Sequence, residues 1–172
     1  EVAAAADVKV QALGLAFQVI DDILDFSRIE AGKMTVERRP ISIDDVIEST
    51  AGLYAAAAVE KGVKLRASVD PRIGELLIGD AVRLRQVLGN LLSNAVKFTS
   101  RGSVRLSVTQ ESVNDTHREL RFEVTDTGPG IPYEIQPRLF APFERGEHAI
   151  TTQVGGTGLG LALVRRIVDL MD

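Results

Sequence analysis

The spacing of apolar residues after residue 40 switches repeatedly between the period of a strand and that of a helix, and this switching restricts the fold more than any other feature. Apolar residues that alternate with polar ones indicate half-buried strands. On this basis we predict strands at residues 40–43, 63–69, 76–79, 104–108 and 120–124. The last two flank a polar turn at Asn114 and Asp115, so we predict that they pair as a hairpin.

Helical periods separate these strands. Ser42, followed by two acidic residues, predicts the cap of a helix that runs to about Lys61, and Asp80 predicts the cap of a second helix. A third helix is expected from about Leu159 to Met171. Strands and helices in this mixed order predict an α+β fold, a two-layer sandwich in which helices cover one face of a mixed sheet.

A long amphipathic helix is predicted before this domain, over residues 7–33. Its apolar stripe advances by alternating steps of four and three residues, which is typical of a helix that packs against partner helices in a bundle. Gly32 predicts the end of this helix, and a polar stretch with Pro40 follows. We therefore divide the chain into a partial bundle helix at 1–33, a linker at 34–40 and a domain at 41–172.

The composition limits the partners of the chain. Its 172 residues carry a formal net charge of −4 and include two Tyr, six Phe and no Trp or Cys, which disfavours a basic, aromatic nucleic-acid surface and a disulfide framework. The apolar runs are shorter than the roughly 20 residues of a membrane span, so we expect neither a span nor a leader. A cytoplasmic protein that binds a nucleotide or another protein is the expectation.

Three polar residues share one face of the helix that follows Asp80. Asn90, Asn94 and Lys97 are separated by four and three residues. Amide oxygens can ligate a hard cation such as Mg²⁺, and lysine can contact phosphate as a point charge. A solvated helix face would show the same stripe, so these residues alone leave both interpretations open.

Two glycine-containing segments follow. Asp126 ends a strand and precedes Gly128 and Gly130, where a carboxylate could accept a hydrogen bond from an adenine amine and glycine would let the backbone come close. Residues 155–161 form a glycine-rich loop that enters a helix, an arrangement that can direct backbone N–H groups at phosphate. A tight turn and a flexible hinge, respectively, would have similar sequences.

In this order, the three elements resemble the nucleotide-binding boxes of the ATPase superfamily that includes sensor histidine kinases, DNA gyrase, heat-shock chaperone ATPases and mismatch-repair ATPases. Residues 80–99 are similar to the asparagine box of histidine kinases, and residues 140–145 to their phenylalanine box. Residues 22–33 resemble the end of their second dimerisation helix, most closely that of hybrid kinases. The resemblance implies a Bergerat-type ATP-binding fold that lacks its last strands here, preceded by one helix of a four-helix dimerisation domain.

The resemblance also implies roles for the matching positions. Asn94 would ligate Mg²⁺, Asn90 would lie beside it near the phosphates, and Lys97 would contact phosphate, so these three are the implied catalytic residues. Asp126 would accept the adenine amine. The other implied nucleotide-binding residues are Phe98, Gly128, Gly130, Ile131, Phe140, Phe143, Gly156, Thr157, Gly158, Leu159 and Gly160.

The implied function is that of an ATP-dependent protein histidine kinase, whose phosphoryl group passes to a response-regulator receiver domain, with a homodimer formed through the N-terminal helix. Asn rather than Glu at position 90 favours transfer to a protein over hydrolysis. The family's acceptor-histidine motif is missing from this sequence. His117 lies in the predicted hairpin turn and His148 in a segment expected to cover ATP as a lid, so we do not expect the chain to phosphorylate itself.

Three alternatives stay open. A dimerising nucleotide-binding scaffold and a hydrolytic ATPase of the same superfamily would carry the same boxes. Residues 13–26 are similar to the second aspartate-rich region of trans-prenyl diphosphate synthases, in which Asp21, Asp22 and Asp25 could bind Mg²⁺ and diphosphate, as in a foreign helix grafted to a kinase domain. Because the predicted strands conflict with that all-helical family, we interpret the aspartates as the solvated side of a bundle helix.

Overall fold

The computed structural model describes residues 19–74, 76–114, 116–143 and 158–171. Two compact units are present, one spanning Val36–Tyr133 and the other combining residues up to Thr35 with those from Glu134 onward. In chain order the elements are α1 (helical over residues 19–30), β1 (Arg39–Ile41), α2 (Ile43–Glu60), β2 (Val63–Val69), a 3₁₀ turn (Pro71–Ile73), β3 (Leu77–Gly79), α3 (Ala81–Phe98), β4 (Gly102–Val113), β5 (Arg118–Asp126), a second 3₁₀ turn (Gln136–Arg138) and α4 (Gly160–Met171).

The unit spanning Val36–Tyr133 contains two sheets. β1 pairs with β3 in antiparallel orientation. The larger sheet has the order β2–β4–β5, in which β2 runs parallel to β4 and β5 runs antiparallel to it. β4 and β5 are the predicted hairpin, and its register shifts between Gln110 and Ser112.

The helices α2 and α3 build the core of this unit with the larger sheet. Both helices contact the sheet and each other. Val104, Leu106 and Val108 alternate along β4 and are buried, as are Leu88 and Leu92 of α3. The prediction of an α+β fold with helices against a mixed sheet is therefore confirmed.

Local signals account for most of these elements. The predicted caps are present, since Ser42 Oγ accepts a hydrogen bond from the Asp45 N–H at 3.2 Å and Asp80 caps α3. The predicted strands and helices agree with the observed ones to within a few residues, except that β4 and β5 are longer. Neither the 3₁₀ turns nor the pairing of β1 with β3 was predicted.

The second unit contains α1, the turn at Gln136–Arg138 and α4. α1 ends before Gly32, whose φ of +62° agrees with the predicted stop. The Arg166 guanidinium of α4 lies 2.9 Å from the Glu30 carboxylate of α1, and Leu163 and Ile167 are fully buried. Residues 7–18 of the predicted helix lie outside the described residues, and the proposed domain boundaries stay a prediction.

Asp22 corrects one expectation for α1. Its exposed fraction is only 7%, so the prediction of a solvated aspartate face is wrong at this position. Burial, and then repulsion by Asp25 and Asp21, raises the pKa of the Asp22 carboxyl to about 6. Within the described ranges no group of three or more His, Cys, Asp or Glu side chains could hold a metal ion.

Across residues 19–74, 76–114, 116–143 and 158–171, no helix combines the length and the apolar character that crossing a membrane requires.

Candidate functional site

α3 presents the polar stripe that the sequence predicted. Asn90, Asn94 and Lys97 are half-buried and, at steps of four and three residues, lie on one side of the helix. Leu88 and Leu92 on another side are fully buried. The core therefore fixes the rotation of α3 and leaves the two amides and the ammonium group partly accessible.

The N-terminal end of α3 is held by a buried carboxylate. Asp80 is 4% exposed, and its Oδ1 accepts hydrogen bonds from the N–H groups of Val82 and Arg83, both at 3.0 Å. Its Oδ2 accepts a third from the Glu37 N–H at 2.9 Å. Burial on its own would raise the pKa of this carboxyl, but these backbone hydrogen bonds outweigh burial and lower it.

The C-terminal end of α3 is held by Lys61, the residue that follows α2. Lys61 Nζ donates to the carbonyl oxygens of Val96 at 2.9 Å and Lys97 at 2.7 Å. A cation at this end satisfies terminal carbonyls and interacts favourably with the helix dipole. The adjacent Lys97 Nζ lies 5.1 Å from the ring centroid of Phe98, whose exposed fraction is 43%. Lys61 thus fixes the turn that carries two of the predicted nucleotide-binding residues.

The loop after β5 is anchored to the start of β4. The Thr127 N–H donates to the Ser103 carbonyl at 3.1 Å, and the Ser103 N–H donates to Thr127 Oγ1 at 3.0 Å. Gly102 has a φ of +119°, and a Cβ at this position would collide with Thr127 Oγ1. Glycine is therefore required at position 102, where the strand and the loop come close together.

This anchoring places the loop against the end of α3. The Gly128 N–H donates to Asp126 Oδ1 at 2.7 Å. A Cβ built on Gly128 would lie 2.7 Å from Asp126 Oδ1, 3.2 Å from the Phe98 carbonyl oxygen and 3.4 Å from Thr99 Oγ1. The structure therefore brings Asp126 and Gly128 next to Phe98, whereas Gly130, with a φ of +73°, and the half-exposed Ile131 continue the loop.

Thr99 and Lys61 are two residues of this region to which the sequence analysis gave no role. Thr99 follows α3 and is fully buried, and its hydroxyl has no hydrogen-bond partner in the part of the chain that the structure describes. Its only sequence signal was its position at the end of the asparagine-box resemblance. Lys61 carried the signal of a helix end, and its contact with α3 depends on tertiary packing.

The second unit carries the other predicted residues. Phe140, 40% exposed, lines a groove of about 310 Å³ together with Phe26 of α1 and Arg165 and Arg166 of α4. The N–H of Phe143, which has a φ of +63°, donates to the Gly158 carbonyl at 3.0 Å.

The glycine-rich loop is described only from Gly158, which has a φ of +72°. Leu159 is 2% exposed, and Gly160 begins α4. Gly156, Thr157 and His148 lie outside the described residues.

The donor set on α3 fits Mg²⁺ that arrives with phosphate. Amide oxygens such as those of Asn90 and Asn94 are hard ligands, and Mg²⁺ in nucleotide sites takes few ligands from the protein and several from phosphate and water. A cluster of acidic side chains that would hold the ion alone does not occur among the residues that the structure describes.

Comparisons with known proteins agree on the family. Residues 79–172 match the family model of histidine kinase-, DNA gyrase B- and HSP90-like ATPases. The chain is 35% identical over 153 residues to the signal transduction histidine-protein kinase BarA of Escherichia coli (strain K12), a match that covers 89% of this chain and 17% of BarA. It is 40% identical over 157 residues to the autoinducer 2 sensor kinase/phosphatase LuxQ of Vibrio harveyi, covering 90% of this chain and 18% of LuxQ. The chain thus spans less than a fifth of either relative.

A solved structure gives the same result for the fold. Full-length ShkA in complex with AMPPNP superimposes with a TM-score of 0.78 and is 32% identical in sequence. The match covers 97% of this chain and 34% of the ShkA chain. The similarity therefore extends over nearly all of this chain but reaches only part of the larger protein.

Proposed function

We propose, because this chain belongs to the histidine kinase-, DNA gyrase B- and HSP90-like ATPase family, that it binds Mg²⁺–ATP and transfers the γ-phosphoryl group to a histidine of a dimerisation domain. The observation that carries the proposal is the position of the Asp126–Gly128 loop against the end of α3, beside Phe98. The similarity to ShkA, whose structure contains the ATP analogue AMPPNP, supports a nucleotide as the ligand.

Each residue of this region has a proposed task. Asp126 accepts a hydrogen bond from the adenine amine, and Gly128, without a side chain, lets the base approach the carboxylate. Phe98 packs against the base, and Lys97, one residue earlier, contacts phosphate. Asn94 and Asn90, one and two turns before the end of α3, supply amide oxygens at the phosphate end. The nucleotide-binding roles expected for residues of the second unit stay predictions.

The proposed reaction is an in-line phosphoryl transfer. A histidine nitrogen forms a bond to the γ-phosphorus while the bond to the β,γ-bridging oxygen breaks and ADP leaves. Mg²⁺, when bound, offsets negative charge on the phosphates. Positioning and charge stabilisation by Lys97 and the two amides are the contributions of this chain. The Asn90 amide cannot take a proton from water, which favours a protein acceptor over hydrolysis.

The acceptor and the next partner are also proposals. His117 lies in the exposed turn between β4 and β5 and is not proposed as the acceptor. We propose that a dimerisation domain supplies the histidine and that a response-regulator receiver domain takes the phosphoryl group in the cytoplasm. α1 supports an association through helices, since Ile20, Ile23 and Leu24 are each about half exposed.

Calorimetric titration with AMPPNP, with and without Mg²⁺, tests the binding site. We expect binding that is tighter with Mg²⁺ and at least about tenfold weaker in Asp126→Asn, because a charged acceptor is lost. Glu123→Gln is the matched control, since it makes the same change at an exposed position of β5 and is expected to bind like the wild type. Wild-type affinity in Asp126→Asn would show that the site is assigned wrongly.

A second experiment tests the transfer. The chain is incubated with Mg²⁺–ATP and a dimerisation domain that carries the acceptor histidine, and acid-labile phosphohistidine is measured. We expect transfer by the wild type and its loss in Asn94→Asp. Nucleotide binding without phosphohistidine would favour a scaffold, and steady phosphate release without any acceptor would favour a hydrolytic ATPase.

A further inference from the structure

The buried hydroxyl of Thr99 is the feature that the proposed roles leave unexplained. Thr99 is fully buried, and Oγ1 lacks a hydrogen-bond partner within the described residues. Thr50 is equally buried, but its Oγ1 donates to the Val46 carbonyl at 2.6 Å. Because an unpaired buried polar group is costly and valine would fill the same volume, the hydroxyl at position 99 requires a reason outside the packing.

Thr99 lies beside the loop that follows β5. Its N–H still donates to the Ala95 carbonyl at 3.0 Å, but its φ of −86° and ψ of 115° are extended, so the chain leaves the helix here. The hydroxyl oxygen lies 3.4 Å from the Cβ position of Gly128, and Asp126 Oδ1 lies 2.7 Å from the same point. The hydroxyl and the carboxylate therefore border one small volume beside Gly128.

The chemistry of these groups is complementary. The carboxylate only accepts hydrogen bonds and already accepts one from the Gly128 N–H at 2.7 Å. The Phe98 carbonyl, 3.2 Å from the same Cβ position, is also an acceptor. The Thr99 hydroxyl can donate a hydrogen bond, and buried polar groups of this kind are commonly bridged by an ordered water in proteins.

We propose that Thr99 is a positioning residue for Asp126. Its hydroxyl donates through one ordered water to the Asp126 carboxylate and holds that carboxylate in the orientation that accepts the adenine amine. This inference rests on the proposed nucleotide site. It makes Thr99 a determinant of base specificity, because a fixed carboxylate attracts the amine of adenine and repels the carbonyl oxygen that guanine carries at the equivalent position. A carboxylate that can turn away loses part of both effects.

Two variants of the full chain test the proposal. Thr99→Val keeps the shape and removes the hydroxyl, whereas Thr99→Ser keeps the hydroxyl. For Thr99→Val we expect a melting temperature equal to or above that of the wild type and an affinity for AMPPNP that is about 3- to 10-fold lower, the value of about one hydrogen bond. Thr99→Ser is expected to stay within about twofold of the wild type. Thr50→Val, which removes the buried hydroxyl that is paired, is the matched control and is expected to leave the affinity unchanged.

The preference for the base separates positioning from general damage. The ratio of AMPPNP to GMPPNP affinity is expected to fall in Thr99→Val, and the double variant Thr99→Val/Asp126→Asn to bind no more weakly than Asp126→Asn. Equal losses for both nucleotides would assign Thr99 a merely structural role and overturn the inference. So would wild-type affinities in Thr99→Val when Asp126→Asn is impaired, and the nucleotide site would then stand. If the wild type binds neither nucleotide, the proposed function itself fails.

Discussion

The two ends of α3 each carry a buried polar group, and the two groups differ in their hydrogen bonding. At the N-terminal end, the Asp80 carboxylate is 4% exposed and accepts three backbone hydrogen bonds. At the C-terminal end, the Thr99 hydroxyl is fully buried and lacks a partner among the residues described. One end is complete without a ligand, and the other lies beside a glycine loop. The difference indicates that the N-terminal end serves the fold, and we propose that the C-terminal end takes part in nucleotide binding.

Removing the Asp80 carboxylate from the N-terminal end of α3 is expected to have the largest effect on stability. Asp80→Ala leaves the N–H groups of Glu37, Val82 and Arg83 without their acceptor, so the free energy of unfolding should fall by about 2 kcal/mol or more. Asp44→Ala, an exposed position in the first turn of α2, should change it by less than about 0.5 kcal/mol. Urea unfolding measures both. A small loss in Asp80→Ala would mean that the three hydrogen bonds do not stabilise this end.

The pH dependence of Asp80 follows from its lowered pKa. A carboxylate whose pKa is lower in the folded than in the unfolded chain contributes stability that is fully present above the unfolded value, near 3.8, and is lost as pH falls through the folded one. The difference in unfolding free energy between the wild type and Asp80→Asn should therefore be constant above about pH 5 and shrink below about pH 4. A constant difference down to pH 3 would contradict this assignment.

Adding a methyl group at Gly128, beside the C-terminal end of α3, is expected to affect binding more than stability. In Gly128→Ala the new methyl group would lie 2.7 Å from Asp126 Oδ1, so the carboxylate must move. We expect at least about a tenfold loss of AMPPNP affinity and a change in unfolding free energy below about 1 kcal/mol. Gly52→Ala, in the middle of α2 with nothing within 4 Å of the new Cβ, should stabilise the chain slightly and bind AMPPNP normally.

Replacing Lys61, which donates to carbonyl groups at the C-terminal end of α3, should have a smaller effect on stability and on AMPPNP affinity. Lys61→Met removes the hydrogen bonds to the Val96 and Lys97 carbonyls and is expected to cost about 1 kcal/mol in unfolding free energy and a few-fold in AMPPNP affinity. Lys64→Met, at an exposed position of β2, is the control. If both variants retain wild-type affinity, Lys61 supports the fold without positioning the site.

Replacing Asp22, the buried carboxylate of the second unit, is expected to have the smallest effect. It allows a comparison with Asp80, a buried carboxylate whose pKa is lowered. The pKa of Asp22 is raised to about 6 by burial and then by Asp25 and Asp21, so its ionised form destabilises the folded chain. Asp22→Asn should raise the melting temperature at pH 7.5 by about one to three degrees, a gain that disappears as pH falls from 6 towards 4. Glu134→Gln, an exposed position in the same unit, should show no such gain. A gain independent of pH would rule out ionisation as its cause.

Local patterns predicted most of the elements and the polar face of α3. The caps at Ser42 and Asp80 and the shared face of Asn90, Asn94 and Lys97 depend on spacing within a few residues, which the sequence displays directly. Two facts could not be predicted in this way. The Thr99 hydroxyl is buried without a partner in the described part of the chain, and Asp22 is buried in the second unit. The spacing of residues in the sequence predicts which side chains share a helix face. Burial and hydrogen bonding of those side chains depend on tertiary packing.

The arrangement of the larger sheet has a consequence for the order in which the chain folds. β4 and β5 are neighbours in the sequence and pair across a short turn, whereas the parallel partner of β4, β2, lies beyond the whole of α3. Closing the longer loop costs more chain entropy, and contacts between distant residues slow folding. We therefore expect the hairpin to form early and β2 to join it only with α3 in place, so that amide hydrogens of β2 should exchange with solvent sooner than those shared by β4 and β5.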